Sequence, residues 1–163
     1  IDPVSLGRFF GKPAGGKRTV PAFGAGLPEW LGSLEFAPCR GYMRGFIDLV
    51  FTAKERWYLV DWKSNFLGHA PGDYSAAKLA RSMAEHLYFL QYHLYCLALH
   101  LYLRKRLPGY SYEKHFGGVF YIYLRGFGSA GSSAIFRDRP KEGLIDELAR
   151  GLLRVDESGI KNA

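Results

Sequence analysis

The chain has 163 residues, of which 48% are hydrophobic and 16% aromatic, so it is long and apolar enough to bury the core of one domain. This composition excludes an intrinsically disordered chain. The formal net charge of +7 favours a polyanionic partner such as a nucleic acid, with an ordinary basic protein as the alternative.

The first forty residues differ in composition from the rest of the chain. Residues 1–40 are rich in Gly and Pro, which predicts an irregular segment ahead of a folded core over residues 41–163. The chain opens with Ile1 instead of Met, and we expect it to be part of a longer polypeptide. Cys96 lies in an apolar run and is predicted to be a buried thiol, which favours a reducing cytoplasm.

A β-hairpin is the next predicted element. Two runs rich in β-branched and aromatic residues, 42–52 and 56–63, flank a polar turn at Lys54-Glu55. Both faces of this hairpin carry apolar side chains, so we expect helices on both sides of the sheet.

The remainder of the chain alternates between helical and strand patterns. After a polar loop over residues 64–74 we predict a helix over 75–85, a longer helix from Tyr88 to Leu107, a strand over 117–125 and an amphipathic helix over 141–154. The apolar stretch from Leu87 to Leu103 is shorter than the ~20 residues of a membrane span and contains Gln and His, so we expect a buried helix and no membrane contact. This alternation predicts an α/β or α+β fold.

The hairpin brings three ionisable residues together. If the turn is symmetric about Lys54-Glu55, Asp48 lies opposite Asp61, with Cβ atoms about 5 Å apart. Because side chains alternate along a strand, Lys63 projects on the same face as Asp61.

Two opposed carboxylates repel each other, and three interpretations account for them. Lys63 can neutralise part of the pair as a structural ion pair, the two acids can share a proton, or they can bind a divalent cation through oxygen. In the third case the backbone carbonyl of Trp62 can serve as a further oxygen ligand. A Mg²⁺ ion there would polarise a phosphodiester and acidify a bound water, and Lys63 would orient that water or offset charge on the phosphate.

Longer runs of sequence resemble a known family. They are G-F-I-D-L-V-F around Asp48, D-W-K-S-N from Asp61, L-Q-Y-H-L-Y-C-L-A-L-H, and E-K-H-F-G-G-V-F-Y-I-Y-L-R-G. Over residues 42–155 the chain resembles the PD-(D/E)xK nuclease superfamily, and more narrowly the RecB-like nuclease domains of the bacterial RecBCD helicase–nuclease, exodeoxyribonuclease V. The resemblance implies a restriction-endonuclease-like core, a central mixed β-sheet flanked by helices.

The resemblance also implies roles for particular residues. It makes Asp48 and Asp61 metal ligands and Lys63 the catalytic lysine, and its Q-x-x-x-Y motif falls on Gln91 and Tyr95. These last two lie four residues apart on one helix face, where a satisfied polar pair within the core is the alternative. The basic run Arg104-Lys105-Arg106 is a candidate for contact with the DNA backbone, and otherwise a solvated surface.

The implied function is hydrolysis of DNA phosphodiester bonds with one Mg²⁺ per site, in the cytoplasm of a bacterium. The implied partners are DNA, the RecC and RecD subunits, and RecA. The family supplies a further histidine ligand from a helix upstream of the first Asp, whereas the earliest histidine here is His69. We therefore expect weak metal binding and little nuclease activity from this chain alone. The alternatives are a docking module without chemistry, for RecA or the partner subunits, and a superfamily nuclease with a different task, such as a resolvase or restriction enzyme.

Overall fold

The computed structural model describes residues 44–127 and 134–152. The strands are β1 (Leu49–Ala53), β2 (Arg56–Lys63), β3 (Phe116–Tyr123) and β4 (Ile135–Asp138). The helices are α1 (Ala76–Glu85), α2 (Tyr88–Arg106), the single turn α3 (Tyr112–His115) and α4 (Glu142–Leu152), with 3-10 turns at Pro71–Tyr74 and Leu124–Gly126. The predicted irregular segment over residues 1–40 lies outside the described residues.

The predicted hairpin register is confirmed. Ala53 pairs with Arg56 and Leu49 with Val60 in an antiparallel ladder. Lys54 and Glu55 both have positive φ angles, of 50° and 62°, which is the backbone of the two-residue turn that matches the twist of a hairpin. Strand β1 begins at Leu49, so residues 44–48 are not in the strand predicted over 42–52. The reason is that the Asp48 side chain, in place of a backbone carbonyl, accepts the Trp62 N–H.

The four strands form one mixed sheet in the order β1-β2-β3-β4. The outer pairs are antiparallel, whereas β2 and β3 run parallel, with Asp61 beside Tyr121 and Lys63 beside Tyr123. A parallel pair needs a long crossover connection, and α1 and α2 supply it. The mixed sheet flanked by helices confirms the predicted α/β class.

The main core lies between one face of the sheet and the helices α1, α2 and α4. Leu59, Val119 and Tyr121 point from that face into a cluster that includes Met83 of α1 and Cys96 of α2. Helix α2 is buried along much of its length, as predicted for the apolar stretch. No helix of the described residues is long and apolar enough to cross a membrane.

Helices were predicted on both sides of the sheet, but the described helices pack on the core side, and the opposite face is aromatic and partly open to solvent because its rings pack against each other. The rings of Phe51, Tyr58 and Phe120 pack against each other there, with centroids 5.0 to 6.4 Å apart. Trp62, in the same row of alternating side chains, is 44% exposed.

Several predicted boundaries were wrong. The third strand spans Phe116–Tyr123 and not residues 117–125, because the chain enters a 3-10 turn at Leu124. Strand β4 was not predicted at all, since its four residues stand among charged side chains. The closing helix is confirmed over Glu142–Leu152.

Candidate active site

Asp48 and Asp61 approach each other at the open end of the hairpin. Asp48 lies one residue before β1, where the ladder ends with the Leu49–Val60 pair, and it is close enough for its charge to raise the pKa of the Asp61 carboxyl. The backbone N–H of Trp62 donates to Asp48 Oδ2 over 2.9 Å. The N–H and C=O of a strand residue point to the same side, so the Trp62 carbonyl also faces the edge where Asp48 lies.

Lys63 and Asp61 form a buried ion pair. Lys63 Nζ lies 2.5 Å from Asp61 Oδ2, and the two residues are only 8% and 6% exposed. The ammonium group also lies 3.8 Å from the centre of the Tyr88 ring and 5.0 Å from that of Tyr121, where the negative ring faces attract a cation. The structural ion pair considered from the sequence is therefore present.

Burial raises the pKa of the Asp61 carboxyl above its ordinary value of 3.8, and the negative charge of Asp48 adds to this rise. The hydrogen bond and positive charge of Lys63 work in the opposite direction and lower the same pKa. Because the rise prevails, Asp61 is a carboxylate that gains from additional positive charge nearby.

Gln91 connects the lysine to the surrounding tyrosines. Its Oε1 accepts hydrogen bonds from Lys63 Nζ over 3.2 Å and from the Tyr121 hydroxyl over 3.0 Å. Its Nε2 donates to the Tyr95 hydroxyl over 3.2 Å. Burial raises the pKa of Tyr121, so that hydroxyl stays protonated and remains a donor. The Q-x-x-x-Y pair thus holds Lys63 from the side of α2.

Tyr95 extends this support to the segment that carries Asp48. A Cβ atom on Gly45 would lie 2.9 Å from Tyr95 Cε1, closer than real Cβ contacts come. Glycine at this position therefore lets the backbone before Asp48 pass directly over the tyrosine ring.

The oxygen atoms at this edge fit a hard divalent cation. The Trp62 N–H donates to Asp48 Oδ2, and the Lys63 ammonium pairs with Asp61 Oδ2. Within the described part of the chain, neither Oδ1 atom accepts a hydrogen bond. Two carboxylates and a carbonyl are ligands of the kind that Mg²⁺ takes, with water completing its shell. Over residues 44–127 and 134–152 no three His, Cys, Asp or Glu side chains cluster as a metal site, so the protein donors here are few.

Some predicted residues lie apart from this group, and two contacts were missed. Arg104, Lys105 and Arg106 are exposed in the last turn of α2, about 20 Å along the helix from Gln91. Their contact with DNA remains a prediction. The sequence did not predict that Tyr88 and Tyr121 surround Lys63. Tyr121 comes close because β3 pairs with β2, and no local sequence pattern reveals that pairing.

Comparison with known proteins gives a consistent result. The chain is similar to the RecBCD enzyme subunit RecB of Escherichia coli, with 46% identity over 139 residues that cover 83% of this chain and 11% of the relative. The corresponding subunit of Haemophilus influenzae is 48% identical over 116 residues, which cover 71% and 10% of the two chains. The chain thus spans about a tenth of the length of these curated relatives. The family profile of the PD-(D/E)XK nuclease superfamily matches residues 17–158. The sequence resemblance and the restriction-endonuclease-like core are thereby confirmed, and the chain belongs to the PD-(D/E)XK nuclease superfamily.

Proposed function

We propose that this chain is a metal-dependent nuclease module that hydrolyses DNA phosphodiester bonds as part of an ATP-driven helicase–nuclease of the exodeoxyribonuclease V type. The observation that carries the proposal is the convergence of Asp48, Asp61 and Lys63 at one edge of the sheet of a superfamily nuclease. The relatives, named as subunits of the RecBCD enzyme, support the helicase–nuclease context.

Each residue has a distinct part in this proposal. Asp48, Asp61 and the Trp62 carbonyl would hold one Mg²⁺, which would supply polarisation of the phosphodiester and acidification of a water molecule. Lys63, held by Gln91 and the Tyr88 ring, places its ammonium group beside the scissile phosphate and offsets the charge that develops on its oxygens. Gln91 and Tyr95 position Lys63 and do not contact the reacting atoms.

The chain by itself is expected to be a poor enzyme. The family resemblance includes an upstream histidine ligand, and no histidine precedes His69 in this sequence. With two carboxylates and one carbonyl, the site binds Mg²⁺ weakly and turns over DNA slowly or not at all.

The test compares this chain with a longer protein that carries the upstream helix. We expect the longer protein to digest labelled linear DNA in Mg²⁺, and Asp61→Ala or Lys63→Ala to abolish that digestion. Asp146→Ala, which removes a half-exposed carboxylate of α4 that faces His100, is the matched control and should retain activity. Undiminished digestion by Asp61→Ala would refute the proposed site, and efficient digestion by the 163-residue chain would refute the need for the upstream ligand.

A second candidate function is protein docking without chemistry. The half-open aromatic face around Phe51, Tyr58 and Phe120 favours it, because such a face is a common site of protein contact. The candidate partners are the RecC and RecD subunits and RecA. A pull-down of each partner with wild-type chain and with Phe120→Ser, set beside the nuclease assay, separates the two functions.

A further inference from the structure

A second group of exposed side chains lies beside the candidate active site. Phe66 is 51% exposed, and Phe127, at the other side of the same edge, is 49% exposed. The Arg125 guanidinium lies 6.0 Å from the centre of the Phe66 ring, and the His69 ring meets Phe66 edge-on with centroids 4.7 Å apart. We call Phe66, His69, Arg125 and Phe127 the aromatic edge.

Strand pairing places the aromatic edge next to Lys63. Lys63 and Tyr123 are neighbours in the parallel ladder of β2 and β3, so both strands end at the same edge of the sheet. Phe66 follows Lys63 by three residues, and Arg125 follows Tyr123 by two. Loops that leave the carboxyl ends of parallel strands are a usual location for ligand binding.

The buried Tyr74 side chain fixes the two sides of this edge to each other. Its hydroxyl accepts the Leu67 N–H over 3.3 Å, immediately after Phe66. On the other side, a Cβ on Gly126 would lie only 2.5 Å from Tyr74 Cδ1, so the backbone after Arg125 rests directly on the same ring. The edge is therefore preorganised, and its exposed rings are not the result of a loosely held loop.

Asn65 ties the same loop to the active site. The Tyr88 hydroxyl donates to Asn65 Oδ1 over 3.2 Å, and the Tyr88 ring is the one that carries the Lys63 ammonium. Asn65 and Lys63 are thus both held by the Tyr88 side chain.

The chemistry of the aromatic edge matches a single-stranded nucleic acid. A flat ring open on one side can stack on the face of an unpaired base, whereas base faces in a duplex are already covered. Arg125 beside it can contact a phosphate, and the net charge of +7 favours such a polyanion.

We propose that Phe66 and Arg125 form a stacking site for an unpaired base, over which single-stranded DNA reaches Asp61 and Lys63. This proposal rests on the proposed nuclease function for the identity of the ligand. Phe66 stacks on the base and Arg125 contacts the adjoining phosphate, so the strand enters from the carboxyl ends of β2 and β3.

Binding is measured without hydrolysis, in EDTA, so that the result does not depend on turnover. An oligo-dT of about 12 nucleotides with one 2-aminopurine reports affinity by anisotropy and stacking by quenching. We expect Phe66→Ala to weaken binding about tenfold and to relieve quenching, while Phe66→Trp keeps both. Arg125→Gln should lower the slope of log affinity against log salt by about 0.7, the value for one phosphate contact on a single strand.

Tyr102→Ala is the matched control, since Tyr102 is a 58% exposed aromatic residue on α2 and is not in the aromatic edge. Equal losses for Phe66→Ala and Tyr102→Ala would overturn the proposal, as would absence of single-strand binding by the wild-type chain at low salt. Phe66→Leu separates stacking from apolar docking: unchanged binding by this variant would also overturn it. If Asp61→Ala still quenches 2-aminopurine, the stacking site is supported even if the nuclease assay fails. If the longer protein carrying Phe66→Ala digests DNA normally and still quenches 2-aminopurine, the stacking site is refuted and the proposed nuclease function is not.

Discussion

Replacing Lys63 with Met is the most informative perturbation of the site. The lysine has three kinds of partner: the Asp61 carboxylate at 2.5 Å, Gln91 Oε1 at 3.2 Å and the face of the Tyr88 ring. Gln91 Oε1 keeps the Tyr121 hydroxyl as a donor after the substitution, so the main loss is the countercharge of a buried carboxylate. Removing one partner of a buried ion pair costs about 3–5 kcal/mol.

The pH dependence of this cost has a definite sign. Lys63 lowers the pKa of Asp61, so without it the raised pKa of that carboxyl in the folded state moves still higher. A carboxyl with a raised folded-state pKa contributes stability at pH values below its unfolded pKa, and this contribution is lost as the pH rises through the folded-state pKa. The destabilisation by Lys63→Met should therefore be larger at pH 8 than at pH 5.

A double-mutant cycle that combines Lys63→Met with Asp61→Asn measures the interaction free energy between the two side chains. We expect each single variant to lose about 3 kcal/mol in the free energy of unfolding and the double variant to lose about 1 kcal/mol, because no buried charge is then left alone. Urea unfolding followed by tryptophan fluorescence gives the three values. Additive effects of the two substitutions, or a loss from Lys63→Met of only about 0.5 kcal/mol as for a surface pair, would refute the reasoning.

Three further outcomes follow from other parts of the molecule. Gln91→Leu should cost about 1–3 kcal/mol in urea unfolding, because it leaves the buried Tyr121 hydroxyl without its acceptor and Lys63 without an amide contact; a loss no larger than that of an exposed substitution would contradict this. Glu55→Gly should stabilise the domain by about 1 kcal/mol, since Glu55 has a φ of 62°, and a lower urea midpoint would count against it. Burial lowers the pKa of His100, so its contribution to stability is complete above its unfolded pKa of about 6.5 and is lost as the pH falls below that value. His100→Phe should therefore reduce the loss of stability on acidification, which thermal unfolding at about pH 7.5 and 5.5 measures, and an unchanged pH dependence would be inconsistent with this assignment.

Local patterns were sufficient for the hairpin and the long helices. Alternation along residues 56–63 and the position of Lys54-Glu55 gave the register, because a two-residue turn leaves only one pairing. The same register predicted that Asp48 lies beside the end of β2, where its carboxylate accepts the Trp62 N–H. Strand β4 could not be predicted in this way, since Ile135–Asp138 is a strand only because β3 pairs with it.

The surroundings of Lys63 were also beyond local patterns. Gln91 and Tyr95 were identified by resemblance, but spacing alone did not indicate that Gln91 accepts from both Lys63 and Tyr121. That contact depends on α2 crossing over the parallel pair of β2 and β3, a feature of tertiary packing. Burial of the pair, which sets the direction of the Asp61 pKa, likewise comes from the assembled core.

Tyr88 contacts two groups that sequence reasoning treated separately. Its ring holds the Lys63 ammonium and its hydroxyl holds Asn65, the residue before Phe66. A ligand that shifted the Asn65 loop would therefore act on the Lys63 ammonium through the Tyr88 side chain. Coupling between two binding sites is reciprocal. If a ligand at the loop strengthened the binding of a phosphate at Lys63, the phosphate would strengthen the binding of that ligand by the same free energy.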